Sequence, residues 1–340
     1  KLVDNFFDNE GFPLNRNPGD LVKFSKYLIL IKECIKDSQE YVPDFLEEMI
    51  EKNLNCLKSI VTPKNEMPLF NGSTEINLDE YLNYIDGLKY KYKKNKTKVG
   101  GLQILKDKKN IIFFDVSQPP SKKFSSDYQS GPLSFEYFYD GEKIITNCGF
   151  GRQISKKATL LSRLTSAQST LTINDTSVVK FERSKSLNKA FGNSIQNDFK
   201  TFDINYVDEE LEIKSSSTHD AYETNFGYLH KRKIKIDKKS GALFGLDKLI
   251  TSRNANHIDY HLRFHLYPGI NAVRTMAGNS ILIQVAKNKS LVFKSNGENL
   301  SVEKSIFLGR NKILNNLCVT ISGSVLNSDK NIHWEIKKGF

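Results

Sequence analysis

The sequence predicts an α+β chain in which a short helical part precedes large antiparallel sheets packed as a β-sandwich. Three observations carry this reading. Apolar residues recur at helical spacing between residue 20 and about residue 60, the period becomes two from about Leu102 onward, and turn dipeptides separate several of the later segments. Twelve candidate strands with few intervening helices favour an antiparallel sandwich over a parallel α/β fold.

In chain order, Asp20 reads as an N-cap after Asn17-Pro18-Gly19, and Leu21, Phe24, Leu28 and Ile31 form the apolar stripe of a first helix. Pro43 suits the first turn of a second helix, whose stripe is Leu46, Ile50, Leu54 and Leu57 and which Pro63 stops. The two read as an antiparallel pair. A junction follows from Asn71-Gly72-Ser73 to Gly101, with a short helix around Leu78–Ile85 and a run of Lys89, Lys91, Lys93, Lys94, Lys96 and Lys98. The strands are then "IIFFDV", "LSFEYFY", "KIITNCG", "STLTIND", "ELEIKS", "HKRKIKID", "YHLRFHLY", "SILIQVA", "SLVFKS", "LSVEKSIFL", "LCVTISG" and "IHWEIKK". Asp140-Gly141, Asn296-Gly297 and Ser322-Gly323 supply turn chemistry. Gln129 and Asn147 stand at the two ends of the hairpin around Asp140-Gly141, as ordinary polar punctuation or as the remains of a ligand site.

Composition narrows the function classes. With 340 residues, 39% apolar and 11% aromatic, the chain can build a packed core, which excludes global disorder. No apolar run approaches the roughly eighteen residues of a membrane span. Lys1 opens the chain in mid-stride, which reads as a fragment or a processed product. Cys34, Cys56, Cys148 and Cys318 have neither metal nor CxxC spacing and read as reduced and structural. A net charge of +11 predicts attraction to polyanions. The lysine run reads as a solvated linker or as a docking patch. No zinc finger, RNP motif or Arg-rich helix points to nucleic acid, and P-loop, dinucleotide and GxSxG motifs are absent from the sequence.

Two segments concentrate chemistry. "STHDAYETNFGYLHKRKI" brings together His219, Asp220, Tyr222, His230 and Arg232, which could supply base, orienter, acid and carboxylate clamp, or could be sandwich structure. His257, His261 and His265 recur every four residues, as metal ligands on a helix would. The alternation of "HIDYHLRFHLYP" instead makes this a strand, on which the row spans roughly 26 Å at about 3.3 Å per residue, too far for one ion. His261 and His265 remain candidate polysaccharide contacts, and Arg163 a further groove candidate. His333 and Trp334 read as packing and surface.

The ordered pieces "GPLSFEYFYDGEKIITNCG", "RLTSAQSTLTINDTS", "THDAYETNFGYLHKRKIKID", "GLDKL", "RFHLYPGI", "SLVFKSNG", "LSVEKSIFLG" and "HWEIKK" resemble the C-terminal part of heparinase II/III-like proteins. Upstream, "NRNPGDLVKF" and "LFNGS" are similar to the end of that family's α/α-toroid domain. The resemblance implies toroid helices and linker over residues 1–100 and an antiparallel β-sandwich over 101–340. It implies a lyase that cleaves an acidic, uronate-containing polysaccharide by β-elimination, in the cell envelope, or a non-catalytic glycan-binding protein on the same scaffold. The family's H-x-H-x-D motif would fall on Asp127, Gln129 and Gly131. Its later Asp-x-Gly falls on Asn147-Cys148-Gly149, and its H-N/S-T segment on Gln168-Ser169-Thr170. Zinc-bearing members hold the metal there, whereas this chain offers Gln129, Asn147 and Gln168. Neutral amides are poor zinc ligands, so the expectation is no cofactor and an amide cluster in place of the metal, the three residues otherwise being unrelated polar positions. The Tyr that the family carries just after its Asn-Pro step is also missing, Gly19, Asp20 and Leu21 standing there. By type, His219, Tyr222 and His230 are then the candidate catalytic residues, with Arg163, Arg232, His261 and His265 as substrate contacts.

Overall fold

The computed structural model describes residues 5–90, 96–182, 193–252, 255–296 and 299–339. Helices α1 (Pro18–Asp37) and α2 (Asp44–Ile60) form the antiparallel pair, and α3 (Asp79–Gly87) follows. The cap of α1 is Asn17, not Asp20: its side chain accepts from the Gly19 and Asp20 amides and leaves Pro18 at the first turn, where a missing N–H costs nothing. The buried face of α1 is Leu21, Val22, Ser25, Leu28, Ile29 and Lys32, whereas Ile31 is exposed. Lys32 reaches across the pair to Glu47 at 2.9 Å. In α2, Leu46, Ile50, Leu54 and Leu57 are all buried, as their spacing requires.

A five-stranded antiparallel sheet comes next: β1 (Lys98–Val99), β2 (Leu102–Lys106), β3 (Asn110–Asp115), β4 (Phe135–Tyr139) and β5 (Glu142–Ile145), hydrogen-bonded in that order. Its two faces enter different cores. Ile104, Phe113 and Phe138 pack with the helices, while Leu105, Ile112, Phe114, Phe135 and Tyr137 pack with the sandwich. Burial on both faces explains the unbroken apolar run in β3. Buried Arg16 stitches the helical segment to this sheet, donating to the carbonyls of Gly100 and Gln118 and pairing with Asp115.

After helix α4 (Lys156–Leu161), twelve more strands build two sheets. The first has four strands in the order β15 (Asn299–Phe307), β16 (Leu314–Leu326), β11 (His257–His265) and β6 (Leu171–Ile173). The second has eight. At one edge lie β12 (Asn271–Arg274), β13 (Ser280–Ala286), β14 (Lys289–Ser295) and β17 (Lys330–Lys338). These continue into β10 (Leu243–Thr251), β9 (Tyr228–Asp237), β8 (Glu212–His219) and β7 (Thr201–Asp208). Inner faces of all three sheets share one apolar core. Three details differ from expectation. Ser322-Gly323 is no turn but lies within β16, Gly323 pairing with Tyr260. The strands β1, β2, β7, β10 and β12 are not among the twelve expected segments. Asn296-Gly297 and Lys91, Lys93 and Lys94 fall wholly or partly outside the described residues.

Candidate functional site

The helical part meets the sandwich where the Asn17 cap, the Gly72 turn and the loop before β4 converge. Gly72 has a φ of +96°, and a Cβ there would stand 2.8 Å from the Asp127 Cβ and 3.0 Å from the Asn17 amide nitrogen, so only glycine admits this approach. Asp127 pairs with Arg152, whose side chain is 55% exposed. Burial pushes the Asp127 carboxyl up; Arg152 and Arg163 oppose this, Asp20 adds to it, and the net displacement is upward. This carboxylate–guanidinium pair is charged chemistry within solvent's reach at the junction. Asp127 is the residue at the first His position of the family motif; Arg152 had no signal in the sequence beyond following Gly151.

Immediately inside lie the three amides. Gln129 accepts from the Gly72 amide at 3.0 Å and donates to the carbonyls of Gly149 (2.9 Å) and Ser162 (2.8 Å). Gln168 donates to the same Ser162 carbonyl at 2.8 Å. Asn147 accepts from the Ser169 amide at 3.0 Å and donates to Leu69 at 3.4 Å. Gln129 and Gln168 therefore meet at one acceptor, and Asn147 ties neighbouring backbone; their partners are main-chain groups rather than each other. Burial pushes the adjacent Cys148 thiol up to about 12, which keeps it protonated. The donor set does not fit a zinc ion, which needs imidazole, thiolate or carboxylate lone pairs free to coordinate. Among the described residues no group of three or more His, Cys, Asp or Glu is arranged to hold a metal. Glu136, one strand away, is wholly buried. It pairs with Lys143 at 3.2 Å and accepts from the Asn147 and Leu69 amides, fixing the floor of the cluster.

The residues singled out for chemistry by type lie elsewhere. His219, His230 and Arg232 are 0% exposed on the inner face of the eight-stranded sheet, and Tyr222 is 1% exposed. A one-way hydrogen-bond chain fixes the tautomers. The Ala221 amide donates to His219 Nδ1, so His219 Nε2 carries the proton that His230 Nδ1 accepts at 3.1 Å. His230 Nε2 then donates to Asp247 at 2.7 Å. Arg232 donates to the same carboxylate at 2.7 Å, and Trp334 Nε1 to its other oxygen at 2.8 Å. Burial holds both imidazoles below their ordinary pKa, against the pull of Asp247 on His230. Burial alone would raise Asp247, but Arg232, His230 and Trp334 together outweigh it and keep the carboxyl low. Trp334 stacks between Phe135 and Phe293 with centroids at 5.6 and 6.1 Å. It lies across Gly245, where a Cβ would come within 1.9 Å of the indole.

These placements correct the expected roles. A polymer cannot touch His219, Tyr222, His230 or Arg232, because they sit inside the sandwich; the Tyr222 hydroxyl is spent on the Leu171 carbonyl at 2.9 Å. Arg163 is no groove cation. It is 0% exposed, donates to the Tyr128, Ser125 and Asn193 carbonyls, and lies 3.9 Å over the Phe181 ring. His265 is buried between Ser305 Oγ and the Ser166 carbonyl, and burial brings it down to about 4. His261 alone of the set is partly open, on the outer face of β11 with His257 and Asp259. A second junction cluster escaped the sequence reading: the Tyr267 hydroxyl donates to Glu75 at 2.6 Å, and Arg310 holds the other Glu75 oxygen at 2.6 Å.

No curated protein matches this sequence. The heparan sulfate lyase HepC from Pedobacter heparinus superposes with a TM-score of 0.78 at 16% identity, over 99% of this chain and 54% of HepC. A heparinase III structure gives 0.77 at 13% identity, over 99% of this chain and 55% of that one. This chain thus spans about half the length of those enzymes, and at such identities the likeness establishes the fold. The family pattern described as Heparinase II/III-like, C-terminal, matches residues 91–335, so the chain belongs to that family.

Proposed function

We propose that this chain is the sandwich-bearing part of a polysaccharide lyase that cleaves an acidic, uronate-containing polymer, with the reacting sugar seated at the Asp127–Arg152 pair. The carrying observation is that pair: an accessible guanidinium beside a carboxyl raised by burial, at the meeting of helical part and sandwich. A uronate carboxylate arriving at Arg152 competes with Asp127 for the guanidinium. Neutralised there, it makes the neighbouring C–H more acidic. The released Asp127 takes that proton, electrons move into the new C=C bond, and the glycosidic C–O bond breaks. The same carboxyl, now protonated, returns the proton to the departing oxygen. No step passes through a metal, and we expect the purified protein to hold less than stoichiometric zinc. The fold family favours a polymer in the cleft beside the helices, and an envelope location suits such a substrate.

The sequestered imidazoles and the spent amides favour one rival, a protein that holds acidic glycan without cleaving it. Incubation of the full-length protein with a panel of uronate polymers separates the two. The unsaturated product absorbs in the ultraviolet, so rising absorbance supports the lyase. Salt-sensitive binding with flat absorbance across the panel defeats it.

A further inference from the structure

The outer face of the eight-stranded sheet carries a lysine lattice that the proposed reaction does not use. Strand alternation sends Lys231, Lys233 and Lys235 of β9 outward while His230, Arg232 and Ile234 point in. Register then aligns neighbours into rows. Lys231 lies beside Thr218 and Lys248, Lys233 beside Ser216 and Leu246, and Lys235 beside Lys214 and Phe244. Along β9 the cations repeat at roughly 6.6 Å, and across the sheet rows stand about 4.8 Å apart. The face is concave, a hollow of about 320 Å³ lined by Asn205, Lys214, Ser216, Lys231, Lys233 and Lys248 among others. Carboxylates are fewer than lysines here and are paired: Glu335, beside Phe244, holds Lys337 at 2.7 Å, and Glu209 stands 3.6 Å from Lys214. Glu212 serves Lys214 and Lys235, and Asp203 stands 3.8 Å from Lys231. Among the described residues, Lys233 and Lys248 have no carboxylate within ion-pair distance.

We infer that this sheet face is a second binding surface for an acidic polysaccharide, holding a stretch of polymer away from the reacting sugar. Charge complementarity points to a polyanion. Lysine ammoniums are point charges that suit sulfates and carboxylates scattered along a glycan, and Ser216 and Asn205, which line the hollow, offer hydrogen bonds to sugar hydroxyls. Single-stranded nucleic acid would need a series of open aromatic platforms. This face has Phe244, whose ring already carries Lys235 at 5.1 Å and Lys337 at 5.2 Å, and Phe202 at the β7 edge, 37% exposed, which together do not make such a series. The choice of glycan rests on the lyase reading; the existence of the surface does not.

The test uses full-length protein on immobilised heparin, eluted with salt, with Lys233→Ala/Lys248→Ala against Lys233→Arg/Lys248→Arg. Both pairs are surface changes, and unchanged melting confirms the fold. The alanine pair should elute at lower salt and reduce the slope of log Kd against log salt by roughly two, one released counterion per lost contact, while the arginine pair retains binding. Turnover of a short uronate oligosaccharide, too small to reach both surfaces, should stay at the wild-type value in both pairs. Unchanged elution and slope in the alanine pair overturn the surface, even if the enzyme cleaves glycan. Flat absorbance with the predicted binding loss defeats the lyase and leaves the surface standing. Tighter binding of duplex DNA than of heparin at equal salt overturns the assignment to glycan.

Discussion

The amide cluster at the junction and the histidine network in the sandwich are both buried polar assemblies, yet they are built for different ends. At the junction, Gln129, Asn147 and Gln168 are neutral and bind main chain, holding three loops against the helical part within one residue of solvent-reachable charge. Inside the sandwich, His219, His230, Arg232, Asp247 and Trp334 bind one another through side chains from four strands, with no route to solvent. Residue type alone would give the chemistry to the second group. Burial argues against that, because a proton-transfer group that no substrate can touch serves only to hold the sheet; the chemistry proposed above rests instead on the Asp127–Arg152 pair beside the amides, whose guanidinium solvent can reach. The network still has a physical task. Ionised Asp247 needs its three donors, since an unpartnered charge at that depth would cost several kcal/mol.

The contrast breaks most sharply if Asp247 is neutralised. Asp247→Ala leaves the Arg232 guanidinium buried without its counter-ion, and His230 and Trp334 without their acceptor. Stability by chemical denaturation should fall by about 3–5 kcal/mol. A loss under about 1 kcal/mol would mean the network is not the keystone of the inner face.

Acid sharpens the same contrast by a somewhat smaller amount. His265, His219 and His230 all have folded-state pKa values below the ordinary 6.5. Below pH 6.5 the unfolded chain therefore binds protons that the folded chain refuses, and stability falls as pH falls. For His265, brought to about 4, the loss accumulates between pH 6.5 and 4 and totals about 3 kcal/mol. The other two histidines add in the same direction. Melting temperature followed from pH 7 to 4 should drop continuously through that window. A flat profile there would show that these imidazoles are not held neutral.

How much of this was readable beforehand follows from what each residue's fate depends on. Periodicity is local, so α2 and β13 were legible almost to the residue. The strand β7 was not, because its alternation is broken by a register shift between Phe202 and Asn205, with Asp203 at a φ of +52°. The strand β10 hid behind Gly245 and Asp247, residues that argue against a strand until Trp334 is known to cover one and bind the other. The amide positions could be aligned on the family motif, but their main-chain partners could not be foreseen. Nor could the enclosure of His219 and His230, which depends on the register of β8 against β9 and on what covers the sheet. Arg152 was invisible because its partner, Asp127, is 25 residues away.

The most direct measurement compares turnover of a uronate polymer by Arg152→Ala and by His219→Phe, each corrected for the fraction folded. The pair is half-buried, Arg152 open and Asp127 covered, and an Asp127 left alone can take up a proton, so Arg152→Ala should lose no more than about 1–2 kcal/mol of stability. Its turnover should nevertheless fall by about tenfold or more, the loss expected when a group neutralising transition-state charge is removed. His219→Phe should melt lower while its folded fraction cleaves at the wild-type rate. Full turnover in Arg152→Ala, or abolished turnover in a well-folded His219→Phe, would contradict the assignment of the chemistry to the junction.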